Sequence, residues 1–377
     1  MKRFISSILI LFLFSNCGPG QEKIERIMED GVEVVVNYLE PYEIGVKPIA
    51  LSLEKEFTID TERDAIAELG LVDIGKYFDV DSEGNVYLVS PEGERNTIFK
   101  FDRKGNFVTS LGHRGQGPGE LVSRRFPPLF LTIHSKGKIA VTNYYRRKLV
   151  YFNQEGDFIR EEKLDSKLML MAVIALPNGN YLAYENRGRP SYELPLSLFN
   201  RDFKKIKELG FRKIPNEEEE KIKGIYYMFS WRISGGKIFT GKHEEGYVIN
   251  VCDFEGNLTR KIKKEYRPVL LTKEYKEKYL KIYKNMKEFR DKIYFPKNFP
   301  PYYSFFTDDK GRLFVMTYEK GENPGEYMYD IFNGDGLFIG RKSLRIHHNS
   351  DSLFAQMKNN RLYCIYEKES GYKKFIA

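Results

Sequence analysis

Apolar and polar residues alternate along this chain in short runs, and the runs come in pairs joined by a turn containing Gly or Asn. The first pair is Phe78–Val89, turning at Gly84. The pattern returns at Leu131–Val141 around Gly137, Val173–Ala183 around Gly179 and Trp231–Phe239 around Gly236. Two more copies follow, Phe305–Val315 around Gly311 and Phe354–Cys364 around Asn360. Period-two alternation bounded by turn residues reads as strand, and Gly-Asn or Asp-Gly between apolar runs signals a hairpin. The turn residues stand 53, 42, 57, 75 and 49 positions apart.

Most copies carry a second hairpin downstream, at Ile98–Val108, Leu149–Ile159, Val248–Leu258 and Tyr329–Phe338. Four strands per unit, repeated every 40–55 residues or so, is the pattern of a β-propeller blade. Six copies predict an all-β, six-bladed propeller of four-stranded blades. The last unit ends after three strands, near Tyr372–Ile376, while Ile49–Phe57 is an apolar strand without a partner. Pairing that N-terminal strand into the last blade would close the ring and leave no open edge.

One stretch breaks the pattern. In Thr272–Ile293, Tyr275, Tyr279, Ile282, Met286, Phe289 and Ile293 recur at helical spacing, with lysines on the opposite face. It predicts a helical insertion between blades four and five. Such a helix serves as padding on the rim, as a lid beside the mouth, or as a membrane-surface contact.

The N-terminus carries an address. Lys2 and Arg3 precede an apolar run to Phe14, then Ser15-Asn16-Cys17. A basic start and a short apolar core make a secretory signal, too short to span a bilayer as a mature helix. Cys17 resembles the acylated cysteine of the bacterial lipoprotein lipobox, with Asn16 where that pattern prefers Gly or Ala. The predicted organisation is a signal peptide over 1–16, a lipid-anchored tether and N-terminal segment over 17–48, and the propeller over 49–377.

The 377 residues include 61 Lys+Arg and 53 Asp+Glu, a net charge of +8 that falls to +6 once Lys2 and Arg3 are removed. Aromatic residues reach 15%, which favours strands over a helical bundle. Three cysteines cannot build a disulfide scaffold, and Cys252 and Cys364 lie in apolar strands as buried thiols.

Gly105–Leu121, with its His-Arg-Gly-Gln-Gly-Pro-Gly core, resembles the inter-blade segment of NHL-repeat propellers. The whole chain is similar to exported six-bladed β-propeller lipoproteins of bacteria. That resemblance implies fold and address and carries over no catalytic residue.

Loop lengths point to one face. The A–B and C–D turns are tight, whereas the D–A and B–C connections are long, and long loops commonly carry function. Those loops are basic and aromatic, with ligand-binding candidates His113, Arg114, Arg125, Tyr145, Arg147, Arg189, His243 and Tyr303. Guanidinium groups beside rings suit an anionic or polyhydroxylated ligand, a peptide or an envelope protein.

Signals of catalysis are weak. Gly115-Gln-Gly-Pro-Gly119 lacks the strand–turn–helix context of a phosphate loop, and no HExxH, GxSxG or paired CxxC motif occurs. His347-His348 would point to opposite faces of a strand, Asp308-Asp309 reads as turn chemistry, and the channel positions show no recurring acidic set. The expectation is a membrane-anchored, non-enzymatic binding propeller without cofactor or metal. A metal-dependent hydrolase or lyase at the channel mouth is the alternative, and a pure scaffold the third possibility. An exported basic propeller is not expected to meet nucleic acid.

Overall fold

The computed structural model describes residues 25–42, 53–75, 77–91, 96–122, 129–134, 137–164, 169–188, 193–213, 220–225, 229–346, 355–368 and 370–377. It is a six-bladed β-propeller. The innermost, A, strands are Phe78–Val80, Phe130–Ile133, Leu170–Ala175, Phe229–Ser234, Ser304–Thr307 and Ala355–Lys358. Each begins an antiparallel sheet that runs outward from the axis.

The turns explain why these residues form hairpins. At Asp102 the carboxylate Oδ1 accepts the N–H groups of Lys104 and Asn106 at 2.8 and 2.9 Å, and Gly105 takes φ +85°. The same i to i+4 acceptor recurs at Asp81, Asp253, Asp308 and Asn333. Asp308 is therefore occupied in building its turn. Blades four and six instead use two-residue turns, Gly235-Gly236 and Asn359-Asn360, with both central residues at positive φ. That geometry matches the twist of the flanking strands.

The core lies between blades. Six clusters of buried apolar side chains fill the six interfaces of the ring. The cluster joining blades six and one sets Tyr363 and Phe375 against Phe78, Phe99 and Phe101. The closing strand is Thr58–Asp60, which pairs antiparallel with Lys373–Ile376. It thus begins where the expected strand, Ile49–Phe57, ends. Ile59 is the one residue of the three fully buried, and Glu56 N–H donates to the Ala377 carbonyl at 2.8 Å. Residues 49–52 lie outside the described part.

Blade four is wider than a four-strand unit. Val32–Asn37 pairs parallel to its outer strand, Leu258–Lys264, and Glu25–Glu29 adds a sixth strand. Asn37 ties this addition to blade five: its amide donates to Lys263 O and Gly336 O, and its Oδ1 accepts from Phe338 N–H at 2.7 Å.

The insertion between blades four and five holds two helices, not one. Lys273–Ile282 is capped by the Thr272 hydroxyl, which accepts from Tyr275 N–H, and Lys287–Asp291 follows after a break. The break lets Phe289 fold back to 4.6 Å from the Tyr283 ring. Tyr279 and Phe289 are buried as the stripe predicts, but Ile282 and Met286 fall at the break and are 64% and 42% exposed. No helix among the described residues is long and apolar enough to cross a membrane.

Candidate functional site

The loop candidates separate into two groups. His113, Arg114, Tyr145 and Arg147 stand exposed on blades one and two. Tyr145 packs edge-on against Tyr144 at 5.5 Å, and Arg147 follows a short 3-10 turn with φ +49°. His243 and Tyr303 belong to blades four and five, across the ring. His243 is not on the rim surface: it is 2% exposed, with its ring 4.9 Å from Tyr302. Burial pushes its pKa down to about 3 despite a hydrogen bond to the Tyr303 backbone. Tyr303 is half-buried, its ring 5.6 Å from Tyr318. Cys17, Arg125, Arg189, His347 and His348 lie outside the described residues.

The axis holds a cavity of about 530 Å³, built from all six A strands. That is the size range of small-molecule sites. Its lining reaches the A–B turns at His134, Pro177, Gly235, Asp309 and Lys358, so it sits toward the tight-turn end, opposite the long loops. Aromatic residues form much of the wall: Tyr77 meets Phe130 edge-on at 4.7 Å, and the Trp231 indole N–H donates to Tyr184 Oη at 2.8 Å.

Its charged groups are unequally treated. Asp79 accepts Ile133 N–H at 2.8 Å and the Gln356 amide at 3.2 Å, with Lys358 Nζ at 3.9 Å. Asp308 is held by its own turn and by Arg312 at 2.7 Å. Asp309 is exposed on the rim. Among the described residues Arg232 pairs with no carboxylate, and its one hydrogen bond runs to the Trp231 carbonyl at 2.7 Å. Burial pushes its pKa down to about 10, with only a small opposing influence from Tyr184. Thr132 Oγ1 and His134 Nε2 are buried with no hydrogen-bond partner among the described residues, and burial lowers the His134 pKa.

A second, smaller cavity of about 80 Å³ lies between blades four and five. Here the charges balance. Asp330 accepts from Tyr247 Oη at 2.9 Å, and it stands 2.7 Å from Arg341 Nε and 3.8 Å from Lys264 Nζ. The Arg341 contact is an ion pair outside hydrogen-bonding direction. Arg341 also makes two 3.0 Å bonds to Glu319. Burial holds the Asp330 carboxyl above its ordinary range even with Lys264 and Arg341 beside it.

Loop-length reasoning passes over the channel. Trp231 and Arg232 are the signal it leaves unused: a guanidinium next to an indole in a strand that borders the axis. Among the described residues, no three His, Cys, Asp or Glu side chains are grouped to hold a metal ion.

No curated protein matches this chain. Among solved structures it is similar to a Bacteroides fragilis protein described as exported, with 12% identity, TM-score 0.49, and 91% of this chain and 99% of that one covered. A DUF4221 member from Bacteroides vulgatus gives 14% identity and TM-score 0.49 over 81% and 92% of the two chains. An inactive virginiamycin B lyase from Staphylococcus aureus with quinupristin gives 14% and 0.38 over 81% and 95%. The family model DUF5128, described as a 6-bladed beta-propeller, matches residues 72–341, and the chain belongs to that family.

Proposed function

We propose that this protein is an exported, envelope-tethered binding propeller that holds a small ligand in its central channel and does not transform it. The observation that carries this reading is the channel itself: about 530 Å³, with aromatic walls and the Arg232 guanidinium, which makes one hydrogen bond among the described residues. A guanidinium carries five donors, so its remaining donors on a cavity wall favour a bound molecule that accepts from them. Export and tethering rest on the N-terminal pattern ending at Cys17, and the long-loop face is left for a partner protein.

The test is thermal denaturation of the full chain against organic acids, oligosaccharides, peptides, Ca²⁺, Zn²⁺ and a chelator. A ligand at 100 times its Kd that binds only the folded state adds about 2.7 kcal/mol. The expected result is a shift with an organic ligand that Trp231→Leu abolishes. A shift that survives Trp231→Leu would move the site to the rim. Destabilisation by the chelator would favour a metal-dependent enzyme instead. The tether is checked by fractionation, in which Cys17→Ala should leave the membrane pellet.

A further inference from the structure

The channel's charge balance says more about what it takes. Its two carboxylates closest to the wall are both compensated, Asp79 by Lys358 and two amide donors, Asp308 by its turn and Arg312. Asp309 lies out on the exposed rim. Among the described residues Arg232 has a single carbonyl acceptor, although a guanidinium carries five donors.

A cation set into a protein wall without a counter-charge costs stability, because desolvation is not offset by ion pairing. The fold tolerates that cost at the axis, beside the sole tryptophan of the chain. Tyr77, Phe130 and Trp231 supply apolar surface for whatever body accompanies the charge.

We propose that the channel is a receptor for a small organic anion, its carboxylate or phosphate group bound by Arg232 and its apolar or aromatic body lying against Trp231, Tyr77 and Phe130. This rests on the channel being the binding site and names the class of its ligand. Arginine fits the role because its planar fork meets a carboxylate or phosphate with two parallel hydrogen bonds. A cation is disfavoured, since Arg232 would stand against it unshielded.

Trp231 makes the test direct. As the chain's one tryptophan, it reports channel occupancy through its fluorescence when excited at the red edge, where tyrosine does not absorb. The probes are 3-phenylpropionate and its primary amide, equal in shape and different in charge. The acid is expected to bind at least tenfold more tightly than the amide. Arg232→Met should erase that difference, and Arg232→Lys should keep part of it.

Equal affinity of acid and amide in the unaltered protein would overturn the anion assignment while leaving the channel as the binding site. No fluorescence response to either probe would overturn the assignment too, and the ligand panel with Trp231→Leu then decides the channel separately. The acid–amide comparison needs no variant, so a folding defect in Arg232→Met leaves the test intact.

Discussion

Two half-buried arginines in this ring live under opposite rules. Arg341, between blades four and five, faces Asp330 and Glu319 in a group where Lys264 completes two positive and two negative charges. Arg232, on the axis, faces a cavity and one carbonyl oxygen. The first arrangement locks two blades together and has no room for an organic guest in its 80 Å³ void. The second leaves a charge to be answered from outside. On the proposed reading, balance marks a structural site here and imbalance a receptive one.

The contrast can be broken at its balanced end first. Asp330→Leu strands Lys264 and Arg341 without their shared partner, and losing one member of a buried ion group costs roughly 3–5 kcal/mol. Urea unfolding should show a loss of that order. A loss too small to resolve would mean that water already screens the group.

Acid should bring the imbalance of the axis into the blade four–five interface. His243 sits there against Tyr302, itself 5.3 Å from Tyr247. Its pKa is about 3 in the fold against 6.5 ordinarily, so the unfolded chain takes the proton first. Its contribution is therefore complete above pH 6.5 and is lost as pH falls toward 3. One such proton gives a slope of about 1.4 kcal/mol per pH unit. Between pH 6.5 and about 5, above the ordinary carboxylate range, His243→Phe should flatten the slope of stability on pH. An unchanged slope would assign it to other groups.

The smallest effect has the opposite sign. Arg232→Met removes an uncompensated charge, so unliganded protein should gain about 1 kcal/mol while losing anion binding. A clear loss of stability would show that Arg232 is a structural residue after all, placing it beside Arg341.

These predictions also show where the sequence is readable. The turns are local, so Asp81, Asp102, Asp253 and Asp308 with their following glycines announce hairpins directly, and counting the first hairpin of each unit, at Gly84, Gly137, Gly179, Gly236, Gly311 and Asn360, gives six blades. The insertion is legible as helical, but its break is not. It depends on Phe289 returning to Tyr283 and Tyr279 meeting Phe295, contacts that helical spacing does not contain. The channel is harder still. Its wall takes a few residues from each of six strands between Tyr77 and Lys358, and no one strand and its turn hold more than a fifth of it. Loop length favours the opposite end of the ring, because long connections reveal exposure and not concavity. His243 shows the same weakness: a histidine in a long connection turns inward and is buried.

The strand Thr58–Asp60 sets a clock on the molecule. Its partner, Lys373–Ile376, lies more than 300 positions away along the chain, and pairing of that range is slow to form. Five blades can assemble in order as they leave the ribosome or a translocation pore. Until the final strand arrives, Ile59 lacks its pairing partner and the face of Phe78, Phe99 and Phe101 lacks Phe375. A nascent chain halted a few residues short of Ile376 would present that face to chaperones and proteases. The last four-residue strand thus decides whether the rest of the synthesis was worthwhile.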